Sequence, residues 1–146
     1  REAMTVTAVV CPHCFTRNRV PESRLSETPK CGSCHEPLFT GKPLPVNGAQ
    51  LRQMVNGNDI PVIVDCWATW CGPCQMFAPV FAEAAAQLEP HVRLLKLDTE
   101  QNSETATQLA IRSIPTLLMF QGGREVQRQA GAMPLTHFLN WATQTA

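Results

Sequence analysis

Six of the seven cysteines fall into three Cys-x-x-Cys pairs: Cys11 with Cys14, Cys31 with Cys34, and Cys71 with Cys74. Such pairs serve two chemistries. A pair that opens a helix after a buried strand is a dithiol that can close and reopen. Two pairs presented on neighbouring turns form a clamp for one metal ion. The flanking sequence decides between these uses, and it changes character near residue 44.

Residues 5 to about 43 show little periodicity. Their apolar pieces (Val6, Val9, Val10, Val20, Leu25, Leu38, Phe39) are short and scattered, too few to build a core. A segment this small needs a staple. The tetrapeptide Cys11-Pro12-His13-Cys14 resembles the active site of the periplasmic dithiol oxidases. Its context does not support that use: FTRNRVPESRL follows, with no apolar helical stripe and a break at Pro21, and no buried acid is in reach. Taken together, Cys11, Cys14, Cys31 and Cys34 read C-x2-C-x16-C-x2-C, which fits one structural Zn2+ with no open coordination position. Two disulfides or a second redox centre are the alternatives. His13 and His35 are expected beside the metal rather than on it. GKPLPVNG, residues 41–48, reads as the passage to the next unit.

Beyond it the grammar is α/β. Residues 43–46 can add a short first strand. Asn47 can cap a helix carrying Leu51, Met54 and Val55. PVIVDCWA, residues 61–68, is apolar and β-branched, as in a buried central strand. A helix from about Pro73 carries Phe77, Phe81, Ala84 and Leu88, and Pro79 should kink it. RLLKLDT is a second strand, and Asn102 or Ser103 caps a short helix. TLLMFQ and REVQRQA flank Gly122-Gly123 as a hairpin, and Leu135, Phe138, Leu139 and Ala142 mark a last helix. A mixed sheet with helices on both faces is expected.

The third pair lies in VDCWATWCGPCQMFAP, where a strand ends and a helix begins. A helix N-terminus offers N–H groups and partial positive charge to a thiolate at Cys71, and Cys74 follows within reach. Asp65 stands inside an apolar strand, where burial should raise its pKa; Lys96 in the adjacent strand is its expected partner.

These residues resemble the thioredoxin family. WCGPC at residues 70–74 is its active-site motif, including Gly72 and Pro73, and Asp65 and Lys96 match its buried aspartate and neighbouring lysine. Ile114-Pro115-Thr116 matches the loop whose proline is cis and faces the dithiol, and Gly131 matches the glycine that helps line the substrate groove. Trp67, Pro79 and Gly123 also fall in register; Cys66 departs from the usual aromatic. The resemblance implies a thioredoxin fold over residues 44–146, after a zinc ribbon in residues 1–43; this pairing resembles the bacterial thioredoxin-2 group. It implies a disulfide reductase with Cys71 as nucleophile, Cys74 as resolving thiol, and Asp65 moving the proton. Trp70, Ile114, Pro115 and Thr116 would meet the substrate. Protein disulfides would be the substrates, and an NADPH-dependent thioredoxin reductase would recharge the dithiol. An oxidase or isomerase, and a ribbon that docks partners, are the rival readings.

Trp67 is expected to pack, Cys66 to be a buried inert thiol, and His91 and His137 to lie on the surface. Formal net charge is zero, and a zinc-loaded ribbon has no basic excess, which argues against nucleic acid as a partner. No apolar run reaches the length of a membrane span. Residues 1–10 lack the features of a signal peptide; Met4 reads as a native start preceded by foreign residues, and a cytoplasmic monomer is expected.

Overall fold

The computed structural model describes residues 5–144, so the reading of Met4 as a start lies outside the described residues. β1 (Val6–Val10) and β2 (Arg17–Pro21) pair antiparallel, with Val10 opposite Arg17. The Cys11–Cys14 turn joins them. The Cys31–Cys34 turn is likewise flanked by a bridge between Lys30 and Pro37. Each turn is closed in the same way. The Cys11 N–H donates to Thr16 O at 2.9 Å and the Cys31 N–H to Glu36 O at 2.8 Å. Phe15 and His35, at matching positions, both take positive φ.

The expectation that the apolar pieces could build no core is corrected. Val9, Val20, Leu25 and Leu38 cluster with the buried Cys11 and Cys31, and Ile60 from the second unit completes the group. The core is small, includes two of the cysteines, and borrows a side chain. None of that is visible in local periodicity.

The second unit is a five-stranded sheet in the order β3-β5-β4-β6-β7. These are β3 (Leu44–Pro45), β4 (Val62–Trp67), β5 (Arg93–Asp98), β6 (Thr116–Gln121) and β7 (Arg124–Ala130). β4 runs parallel to β5 and antiparallel to β6. Helix α1 (Gly48–Gly57) covers one face; its N-cap Asn47 and Gln50 form a reciprocal capping box. Helices α2 (Gly72–Leu88) and α4 (Leu135–Ala142) cover the other, where Phe77, Phe81 and Phe138 pack with Ile63, Leu94 and Leu117. α2 continues through Pro79. The short α3 (Ser103–Gln108) precedes β6. This is the expected thioredoxin fold.

The two units meet around Arg93, which is only 2% exposed. Its Nη2 donates to Val10 O at 2.8 Å and Leu38 O at 3.0 Å, both in the cysteine-bearing unit. Its Nη1 meets Glu89 Oε2 at 3.3 Å, and its guanidinium lies over the Phe39 ring. Glu89 also accepts from the Gly41 N–H at 2.7 Å. On the other side, Val10 N–H donates to Asn58 Oδ1 at 2.9 Å and Ala8 N–H to Asp59 Oδ2 at 2.7 Å. Gly57 is required here by close approach, because a Cβ would come within 2.5 Å of Val10 Cγ2. Arg93 opens β5 and Glu89 follows the C-terminus of α2, so the contact lies at the far end of α2 from Cys71.

Candidate functional site

Cys71 is the N-cap of α2, where chain geometry leaves the first backbone N–H groups without intrahelical partners. One of them, from Cys74, points at Cys71 Sγ at 3.2 Å. Cys71 and Cys74 are joined as a disulfide, with Cα atoms 5.2 Å apart. Its place at the helix start does not make Cys71 the better exposed of the two. The difference is instead one of direction: both are nearly buried, at 4% and 3%, but only Cys71 lines the adjacent cavity.

That cavity, about 510 Å³, is bounded by Trp70, Gly72 and Pro73 on one side and by Ile111, Arg112 and Ile114 on the other. Cys71 Sγ lies 3.7 Å from the Ile114 carbonyl oxygen. The Ile114–Pro115 bond is cis. Pro115 and Thr116 are buried behind the rim, and the Thr116 hydroxyl donates to Ser113 O. Gly131 does not line this cavity; its N–H donates to Pro115 O at 2.8 Å, and its φ of +97° favours glycine. Trp70 is 67% exposed, and its Nε1–H donates to Glu100 Oε2 at 2.7 Å. Sequence reasoning missed Glu100, Arg112 and Ser113. The latter two immediately precede Ile114-Pro115, which is the signal that could have found them.

Asp65 lies in β4 on the same face as Ile63, under α2, and Cys66, the next residue along the strand, points to the opposite core layer. Among the described residues no group donates to either Asp65 carboxylate oxygen. Burial pushes its pKa up to about 7, with Lys96 opposing from the neighbouring strand. Lys96 makes no ion pair with Asp65; its ammonium sits 4.8 Å from the centre of the Trp67 ring. Trp67 is half-buried, in keeping with a packing role. Burial also pushes the Cys66 thiol up to about 12, consistent with an inert side chain.

The Asp65 shift has a testable sign. The ordinary value is 3.8, so between there and about 7 the folded state holds a proton that the unfolded chain has lost. Stability therefore falls as pH rises through that window, and the full penalty is present above it. Asp65→Asn should stabilise the oxidised protein at about pH 8 by on the order of 3 kcal/mol and have little effect near pH 3. Urea unfolding at the two pH values measures this; an equal change at both would contradict it.

Cys11, Cys14, Cys31 and Cys34 bring their sulfurs within 4.8 Å of one another. Cys11 Sγ to Cys34 Sγ and Cys14 Sγ to Cys31 Sγ are both 3.6 Å. A tetrahedral ion with Zn–S bonds of about 2.3 Å needs sulfurs about 3.8 Å apart, so the donor set fits. N–H groups of His13 and Ser33 point at Cys11 Sγ and Cys31 Sγ, each at 3.3 Å, and Asn18 Nδ2 approaches Cys31 Sγ at 3.5 Å. A Cys34 backbone hydrogen bond leads in holding Cys31 down at about 6. Cys34 is lowered by the Glu36 backbone, yet burial and its three sulfur neighbours push it up to about 12. Converging sulfurs that cannot all ionise are what a cation would relieve. His13 and His35 are exposed and outside the cluster.

Comparison with known proteins agrees with this geometry. The family model for thioredoxin matches residues 42–144, and a second, described as the N-terminal part of thioredoxin 2, matches residues 10–36. Thioredoxin C-3 of Corynebacterium nephridii is 40% identical over 136 residues, covering 93% of each chain. The thioredoxin of a Synechocystis species is 48% identical over 91 residues, covering 62% of this chain and 85% of its own. The crystal structure of Malassezia sympodialis thioredoxin superposes with a TM-score of 0.65 at 31% identity, covering 75% of this chain and 96% of its own.

Proposed function

The chain belongs to the thioredoxin family and is a thiol–disulfide oxidoreductase working through Cys71 and Cys74; on that premise we propose that it reduces protein disulfides in the cytoplasm and is recharged by an NADPH-dependent flavoprotein thioredoxin reductase. The observation that carries this reading is the Cys71–Cys74 disulfide at the start of α2, with Cys71 alone of the pair facing the cavity.

In the proposed cycle, the Cys71 thiolate attacks one sulfur of a substrate disulfide. A mixed disulfide forms, and the other substrate sulfur leaves as a thiolate and takes up a proton. The Cys74 thiol then gives its proton to Asp65, whose affinity for one is raised to about 7, and attacks the Cys71 sulfur. The second substrate thiolate leaves, and the pair is oxidised by two electrons. The N–H of Cys74 and the N-terminus of α2 favour the Cys71 thiolate. Lys96 acts through space on Asp65. Gly72 and Pro73 set the turn between the sulfurs. Trp70 offers an apolar surface, and the backbone of Ile114, immediately before Pro115, pairs with an extended substrate segment; Thr116, buried in β6 between Cys66 and Ala130, supports that loop together with Gly131.

We assign the ligands of one structural Zn2+ to Cys11, Cys14, Cys31 and Cys34, in a ribbon unit ending near residue 43. The ion supplies folding free energy to a unit with a small core, and four thiolates leave it no position for substrate. Reduction of an interchain protein disulfide, driven by NADPH and reductase, tests the function. Catalytic turnover is expected; its absence with a fully reducible Cys71–Cys74 pair would overturn the reading.

A further inference from the structure

The groove beside Cys71 has one wall made of residues 111–114, and that wall begins at an awkward place in the backbone. α3 is only six residues long, and Ala110 just after it takes φ +56°, a region that a Cβ disfavours. The helix end therefore leaves the carbonyls of Leu109 and Ala110 pointing away from any continuing turn. Arg128, on β7, meets both. Its Nη2 donates to Leu109 O at 2.7 Å and its Nη1 to Ala110 O at 3.1 Å. The guanidinium is aimed by Glu125, which accepts from Nε at 2.7 Å and from Nη2 at 2.8 Å. Further along the wall, Ile111 packs against the sheet core and Ser113 O accepts from Thr116.

We infer that Arg128 is a positioning residue for the substrate groove: by holding the Leu109 and Ala110 carbonyls it fixes where residues 111–114 lie relative to Cys71, and so sets how well the groove takes the extended segment flanking a protein disulfide. This rests on Cys71 being the nucleophile that faces the groove. The guanidinium makes four hydrogen bonds here, to two carbonyls and to both oxygens of one carboxylate, whereas an ammonium has three N–H groups on a single atom, so lysine is not an equivalent. A small disulfide needs no groove wall, so its reaction with Cys71 depends far less on the loop than that of a protein disulfide.

The test compares Arg128→Ala and Arg128→Lys with the unaltered protein on two substrates, a protein disulfide and a small aromatic disulfide. For the protein, KM should rise about threefold to tenfold with kcat within about twofold. For the small disulfide, the second-order rate should stay within about twofold. Lysine should not restore KM. Amide exchange should quicken in residues 111–114 and stay slow in β6. Should Arg128→Ala fail to fold, Glu125→Gln decides: it frees the guanidinium without removing it, and KM should still rise about twofold. An unchanged KM in the folded variant overturns the inference while leaving Cys71 as nucleophile. Turnover by Cys71→Ser, with the exchange result intact, overturns the nucleophile assignment instead.

Discussion

Cys71→Ser is expected to lose protein-disulfide reduction by at least about a thousandfold, because a serine hydroxyl is scarcely ionised near neutral pH and does not open a disulfide. The N-cap geometry makes this specific to one sulfur. Cys71 receives the Cys74 N–H and lines the cavity, whereas Cys74 lies one turn inside α2 and does not reach that rim. Cys74→Ser should therefore behave differently: the first attack survives, resolution does not, and substrate stays covalently attached to Cys71. Non-reducing electrophoresis followed by mass mapping separates the two variants. Turnover by Cys71→Ser, or an equal trap in both, would show that the direction of attack is misassigned.

Removing the metal from the four-cysteine cluster should unfold the ribbon and leave the dithiol working. Without a cation the four thiols lose the bonds that tie the two turns together, and the core around Val9, Val20 and Leu38 is too small to hold them. Amides in β1 and β2 should lose protection by several orders of magnitude, while those in β4 and β6 stay protected. The second unit should become less stable, because Arg93 and Glu89 lose the Val10, Leu38 and Gly41 partners that accompany their burial. Turnover should stay within about threefold, because the ribbon contact lies at the far end of α2 from Cys71. Hydrogen exchange with and without chelator measures this; an unaltered β1–β2 pair after metal loss would contradict it.

Much of the site is readable from residue types and their order. A carboxylic side chain at Asp65 in an apolar strand, a Cys-x-x-Cys where a helix begins, and Ile114-Pro115 ahead of a strand each carry their own physical reason. What resisted reading depends on distant partners. Arg93 opens RLLKLDT and looks like a solvent-facing strand end; it is buried because carbonyls from residues 10 and 38 reach it. The ribbon core includes Ile60, from the loop after α1. Glu100 and Arg128 sit in polar stretches that read as solvated surface, and only the fold brings one to Trp70 and the other to the end of α3. Lys96 was read as a direct partner of Asp65; strand register makes them neighbours, but the lysine side chain lies over Trp67.

The division of labour among the cysteines is tested most directly by a sulfur map after a single turnover. Metal-loaded, fully reduced protein is given one equivalent of a protein disulfide, quenched by alkylation, and mapped by mass spectrometry with its metal content measured. The prediction is one new disulfide, between Cys71 and Cys74, with Cys11, Cys14, Cys31 and Cys34 unoxidised and one ion per chain retained. A disulfide between Cys11 and Cys14, or metal lost in step with turnover, would contradict it.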